Sequence, residues 1–403
     1  MASAVWAKPK MPLSETAECA GDKRTDHRWS DINPLSLRLP GRRRPGYDGA
    51  IGHAFWGEDH LSRRTRNAFA ALAYVAFFGL ALSTSKAETA PRKAKVLIVS
   101  LFAPEADPWI KNLALNQKIV VPGLSPDFPA ALCNSDDVCL ITTGMGHANA
   151  AASTMALIFS KEFDLSKSYI LIGGIAGIDP AMGTLGTAAW ARYLVDFGLQ
   201  QEIDAREKPP GWTTGYVGIH AADPTAKPKL DYRTEVFQLN ELLLQKALKL
   251  SSNATLADND KAIKYRSSYP SAPANQPPKV TQCDTLAGDT WWHGSLMGER
   301  AHDWVALLTD GKGSYCTTQQ EDNATYEALR RGASAGLVDT GRVAVLRVGA
   351  NFDRPYPGET ADASLHSSSG GFPIACENIY RAALPVVQDI VAHWDQWEAG
   401  IPP

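Results

Sequence analysis

Several short stretches of this chain carry side chains able to do chemistry. Glu105 comes shortly after an apolar run, and a carboxylate held near water is what a general base requires. The alternative reading is a surface glutamate in a polar loop. Glu321 stands where a helix is expected to begin, a position the helix dipole favours for any acidic residue. Asn351 and Asp353 follow the apolar run 343–348. An asparagine can hydrogen-bond a ligand but cannot donate a proton. Asp353 could donate one, or it could be a solvated loop carboxylate paired with Arg354. Trp291 and Trp292 are adjacent, and their rings can stack on a flat ligand or fill a core. Neighbours on a strand face opposite ways, so one of the two is assigned to the core. Two glycine clusters, Gly144-Met145-Gly146 and Gly173-Gly174-Ile175-Ala176-Gly177, complete the set. Such glycines let a ligand approach the backbone closely. On pattern alone, two tight turns in an α/β domain explain them equally well.

These residues need elements to hold them. An apolar strand over 138–141 runs into the turn at Gly144–Gly146, and a helix follows with Ala150, Ala151, Thr154, Met155 and Ile158 on one face. A second apolar strand over 169–172 then ends in the second glycine cluster, read as another turn. Strand, glycine turn, helix and strand make a βαβ unit. Further strands are expected at 96–99, 116–121, 188–194, 279–285 and 343–348. Residues 101–109 read as a loop containing Glu105 and Asp107. Helices are expected over 235–250, with Leu239, Leu242, Leu243, Ala247 and Leu250 on one face, and over 301–308, 321–329 and 379–397. Residues 212–231 and 267–278 read as loops. The alternation predicts a single α/β domain over 88–403 with a mostly parallel sheet.

The residues TGMGHANAA followed by GGIAG resemble the nucleoside phosphorylase and nucleosidase superfamily, and within it the purine nucleoside permease family, from about Lys95 to the C-terminus. The resemblance implies a three-layer fold with a central mixed, mostly parallel sheet flanked by helices. It implies a ribose clamp at Glu321, with Gln320 where the family usually has methionine. Trp291 takes the place of the base-stacking aromatic after a Gly-Asp pair. Asn351 occupies the family's acid position in Arg347-Val348-Gly349-Ala350-Asn351, with Asp353 as a stand-in. In the nucleosidase branch a glutamate at the place of Glu105 orients the attacking water. Gly144, Gly146, Gly174, Ala176 and Gly177 would line the ligand. The hexameric phosphorylases carry an arginine where this chain has Ile172, which argues against phosphorolysis. The resemblance thus implies binding of a purine nucleoside in the service of transport, beside a membrane carrier and with family members often forming homo-oligomers. Hydrolysis of the N-glycosidic bond, and less so phosphorolysis, stay open as alternatives. No cofactor is expected.

Bulk composition narrows the rest. The 403 residues are 44% hydrophobic with a net charge of −3, enough for a sizeable core and without the basic excess of a nucleic-acid binder. Residues 1–62 are rich in Arg, Pro and Gly and show no sustained apolar period, so they are read as a disordered or mis-assigned extension. Arg63, Arg64 and Arg66, the apolar run 68–82 and Ser85-Lys86-Ala87 make a secretory signal peptide over 63–87. An uncleaved membrane anchor is the alternative. The expected location is therefore outside the cell membrane, periplasmic in a Gram-negative host. An oxidising compartment permits disulfides; Cys133 with Cys139 and Cys283 with Cys316 are the candidate pairs. No Cys/His spacing suggests a metal site.

Overall fold

The computed structural model describes residues 90–403; the segments 1–62 and 63–87 lie outside the described residues. At its centre is a 12-stranded mixed sheet with helices on both faces. The strand Tyr169–Ile178 is the axis. It runs parallel to Val96–Ser100 on one side and to Val343–Phe352 on the other, and its last residues pair antiparallel with Tyr315–Gln319. Beyond Val96–Ser100 come Val138–Thr142, Ala130–Cys133 and Gln117–Val120. Beyond Tyr315–Gln319 come Asp284–Ala287, Tyr193–Asp196 and Val236–Gln238. Val343–Phe352 also pairs with Ala188–Trp190, which in turn pairs with Val280–Gln282.

The inner strands are largely apolar because helices cover both faces. Side chains still alternate. Val96 and Ile98 join one core with Leu140, Leu171, Leu346 and Ile379. Leu97 and Val99 join the other with Ile141, Ile170, Ile172, Val345, Leu157 and Leu329. The helix Gly371–Ala392 covers the first face, and the paired helices His147–Ile158 and Asp322–Ser334 cover the second.

Four expectations are corrected. Residues 101–109 are not a loop: a helix spans Ala103–Asn112. Proline is tolerated in a first turn, where Pro104 stands. Pro108 is held inside the helix by tertiary packing, with Trp109 fully buried edge-on against Tyr380 at 5.0 Å. The second glycine cluster is not a turn: the strand runs on to Ile178, paired along its length with Val343–Phe352. The stretch 188–194 is broken into two strands, Ala188–Trp190 and Tyr193–Asp196. The helix expected from 235 begins at Glu241, after a strand Val236–Gln238 and an Asn240 cap, and buries Leu244 while leaving Leu242 exposed.

Both candidate cysteine pairs are disulfides. Cys133 and Cys139 lie opposite each other on neighbouring antiparallel strands, and Cys283–Cys316 joins the starts of two strands flanking the site. Cys376 is a buried free thiol.

Candidate functional site

At the carboxyl ends of the central strands lies a cavity of about 260 Å³. Its walls include Phe102, Glu105, Met145, Ala176, Gly177, Trp291, Glu321, Arg347 and Asn351. Phe102 and Asn351 stand 249 positions apart in the sequence, and the sheet order brings them together.

Glu105 enters from the first turn of the Ala103–Asn112 helix and is 1% exposed. One carboxylate oxygen accepts the Leu101 N–H at 2.8 Å and the other the Ile175 N–H at 2.7 Å. Burial pushes its carboxyl up to about 8, against the pull of the nearby Arg347 charge and these two hydrogen bonds. Glu105 is therefore largely a neutral acid at pH 7.

Glu321 precedes the helix Asp322–Ser334 and is held from three sides. Gln319 Oε1 accepts the N–H groups of Glu321 (2.7 Å) and Asp322 (3.0 Å), which fixes the turn. The Gly146 N–H donates to Glu321 Oε1 at 3.1 Å. Arg347 Nη2 donates to Glu321 Oε2 at 3.2 Å. Gly146 has φ +87°, a conformation glycine adopts freely, and this aims its N–H across at the carboxylate. The Gln320 N–H also donates to Oε2 at 3.3 Å; a carboxylate can accept about four hydrogen bonds, so Glu321 keeps acceptor capacity for about one more, from a ligand.

Arg347 is the residue sequence reading passed over. It stands in the core strand Val343–Phe352 and is 1% exposed. Asp322, fully buried, grips it: Oδ1 accepts from Nη2 at 2.5 Å, and Oδ2 from Nε at 3.1 Å. Nη1 donates to the Ile175 carbonyl at 3.1 Å. Burial alone would lower the guanidinium's proton affinity, but Asp322 and Glu321 more than offset it and the charge is kept. The signal was present: one arginine inside an apolar run must find a partner when the strand is buried. Gly174 makes room for it. A Cβ there would lie 2.5 Å from Arg347 Nη1, 2.7 Å from Leu101 Cδ2 and 3.0 Å from Glu105 Oε1.

Also in the cavity lining, Trp291 is 52% exposed, while Trp292 is buried against Phe197 and Tyr315 as well as touching the cavity. Asn351 donates one Nδ2 hydrogen to the Phe352 carbonyl at 2.9 Å and keeps its other groups free for a ligand. Gly144, at φ +86°, shapes the turn that presents Met145.

Residues 93–402 match the family described as purine nucleoside permease (NUP). The chain belongs to the purine nucleoside permease family. A Schizosaccharomyces pombe protein named "Probable purine nucleoside permease" is 39% identical over 317 residues, 76% of this chain and 91% of that one. The Candida albicans purine nucleoside permease is 38% identical over 313 residues, 76% of this chain and 77% of that one. Among solved structures, the 5'-methylthioadenosine/S-adenosylhomocysteine nucleosidase of Neisseria meningitidis aligns with 74% of this chain and 99% of its own, at 14% identity and a TM-score of 0.46. A likeness of that degree does not bear on activity.

In this member of the family Asp353 is not among the cavity residues. It is buried and bound: Oδ2 accepts the Tyr315 hydroxyl at 2.7 Å and Oδ1 the Arg354 Nε at 2.8 Å. Arg354 in turn reaches Asp179 at 3.2 Å, and Asp179 also pairs with His302. Asp353 is thus paired with Arg354, as one of its two sequence readings has it, but in the interior and not in solvent. Among the described residues no group of His, Cys, Asp and Glu is arranged to hold a metal ion.

Proposed function

We propose that the cavity binds a purine nucleoside. One observation carries the reading: a buried, pinned carboxylate (Glu321), a half-exposed tryptophan (Trp291) and an amide (Asn351) face the same small space. Glu321 accepts the hydroxyls of the ribose, Trp291 stacks on the base, and Asn351 hydrogen-bonds the ring edge. A volume of about 260 Å³ lies just below the usual ~300–1,000 Å³ of small-molecule sites, which suits a compact ligand. The family description and the names of the yeast and Candida relatives support the same ligand class.

The family's transport role is assigned here to the binding step. Among the described residues no helix is long and apolar enough to cross a membrane. On this proposal residues 63–87 are a secretory leader, the nucleoside is captured outside the cell membrane (in the periplasm of a Gram-negative host), and a membrane carrier is the partner that moves it.

Glu105 favours a second reading, hydrolysis of the N-glycosidic bond. A carboxyl facing the cavity and titrating at about 8 is suited to general acid–base work near neutral pH. Incubating purified protein with inosine or adenosine, with and without phosphate, separates the readings. Binding without release of free base supports capture alone. Release without phosphate supports hydrolysis. An absence of both binding and release overturns the proposal.

A further inference from the structure

We propose that Asp322 sets this cavity against oxyanions by occupying Arg347, so that the site accepts an uncharged nucleoside and no phosphate beside its sugar. The identity of the nucleoside rests on the reading above; the exclusion of anions rests first on the hydrogen bonds that occupy Arg347. Among the described residues that line the cavity, Arg347 is the only Lys, Arg or His. Its hydrogens are nearly all committed. Nε–H and one Nη2–H go to Asp322, the other Nη2–H goes to Glu321, and one Nη1–H goes to the Ile175 carbonyl. A guanidinium has five such hydrogens, so a single Nη1–H is left, on the side where Gly174 and Glu105 close in.

The charge count agrees. Glu321 and Asp322 both contact the one guanidinium, and Glu105 faces the same cavity. With Glu105 protonated near neutral pH, the remaining two carboxylates outweigh Arg347 by one negative charge. An incoming phosphate needs cationic donors aimed at it. Here it meets a cation already paired, with the surplus negative charge of Asp322 directly behind it. Asp322 does not line the cavity; it acts through Arg347 as a positioning residue. It is fully buried and cannot be screened by solvent or turned aside.

The test compares wild type with Asp322→Asn, which keeps the shape and removes the charge. Inorganic phosphate is titrated against each, read by thermal shift, and inosine binding is read by tryptophan fluorescence. Wild type should show no phosphate-dependent shift at millimolar concentrations and no competition between phosphate and inosine. The variant should bind phosphate at least about tenfold more tightly than wild type. The pH dependence of its inosine binding should also move to lower pH, because a less neutralised Arg347 favours ionised Glu105. Equal phosphate responses in both proteins overturn the proposal. Should the variant fail to fold, wild type alone decides: competition of phosphate or sulfate with inosine overturns the inference, and its absence upholds it. A failure of both proteins to bind inosine refutes the nucleoside reading and leaves the phosphate comparison intact.

Discussion

Replacing Glu105 by Gln should change how stability depends on pH. The carboxyl titrates near its ordinary 4.5 in the unfolded chain and at about 8 in the folded one. Between those values the native state holds a proton that the unfolded chain has released. Unfolding then sheds a proton, so raising the pH favours unfolding. A displacement from 4.5 to about 8 amounts to roughly 5 kcal/mol of stability lost across that window. The substituted amide does not titrate, so the dependence disappears. The substitution also has a constant cost: an amide nitrogen cannot accept the N–H of Leu101 or Ile175, and a buried donor left unpaired costs ~1–3 kcal/mol. The two curves should therefore cross. Urea denaturation at intervals from about pH 5 to about pH 9 measures this, spanning the titration window. The variant should be the less stable protein at the acid end and the more stable one at the alkaline end. Parallel curves would refute the reasoning and mean that water reaches Glu105 or that Arg347 holds it ionised.

Gly174→Ala places a methyl group 2.5 Å from Arg347 Nη1; overpacking of this kind costs ~1–3 kcal/mol, and denaturation should show that loss together with weakened nucleoside binding. An unchanged midpoint would mean the strand yields at no cost. Trp291→Ala should leave stability within ~0.5 kcal/mol, since the ring is half exposed. It should weaken inosine binding roughly 2- to 10-fold, the worth of ring stacking; fluorescence or calorimetry reads this, and unaltered affinity would place the base elsewhere.

The sequence made some of this site legible and hid the rest for identifiable reasons. The first glycine turn could be read because apolar strand, glycine turn and helix are contiguous. The second cluster misled because glycine marks both turns and close approaches. Here it marks an approach, with Ile379 against Gly173 and Arg347 against Gly174, and only the facing elements could say so. The Ala103–Asn112 helix was obscured by its two prolines, whose local bias was overridden by the packing of Trp109. The candidates Glu105, Trp291, Glu321 and Asn351 do share one cavity, whereas Asp353 is drawn into a separate buried network. The grip of Asp322 on Arg347 spans 25 positions and two elements, and no local pattern encodes it. The unpaired arginine in an apolar strand was the available clue.

The central claim is that Glu321 holds the sugar of a nucleoside in this cavity. Calorimetric titration of wild type and Glu321→Ala with inosine and with 2′,3′-dideoxyinosine tests it most directly. The account predicts a large loss of inosine affinity on substitution and little change for the dideoxy compound, because only the former has the hydroxyls Glu321 would accept. Equal losses for both ligands would contradict it.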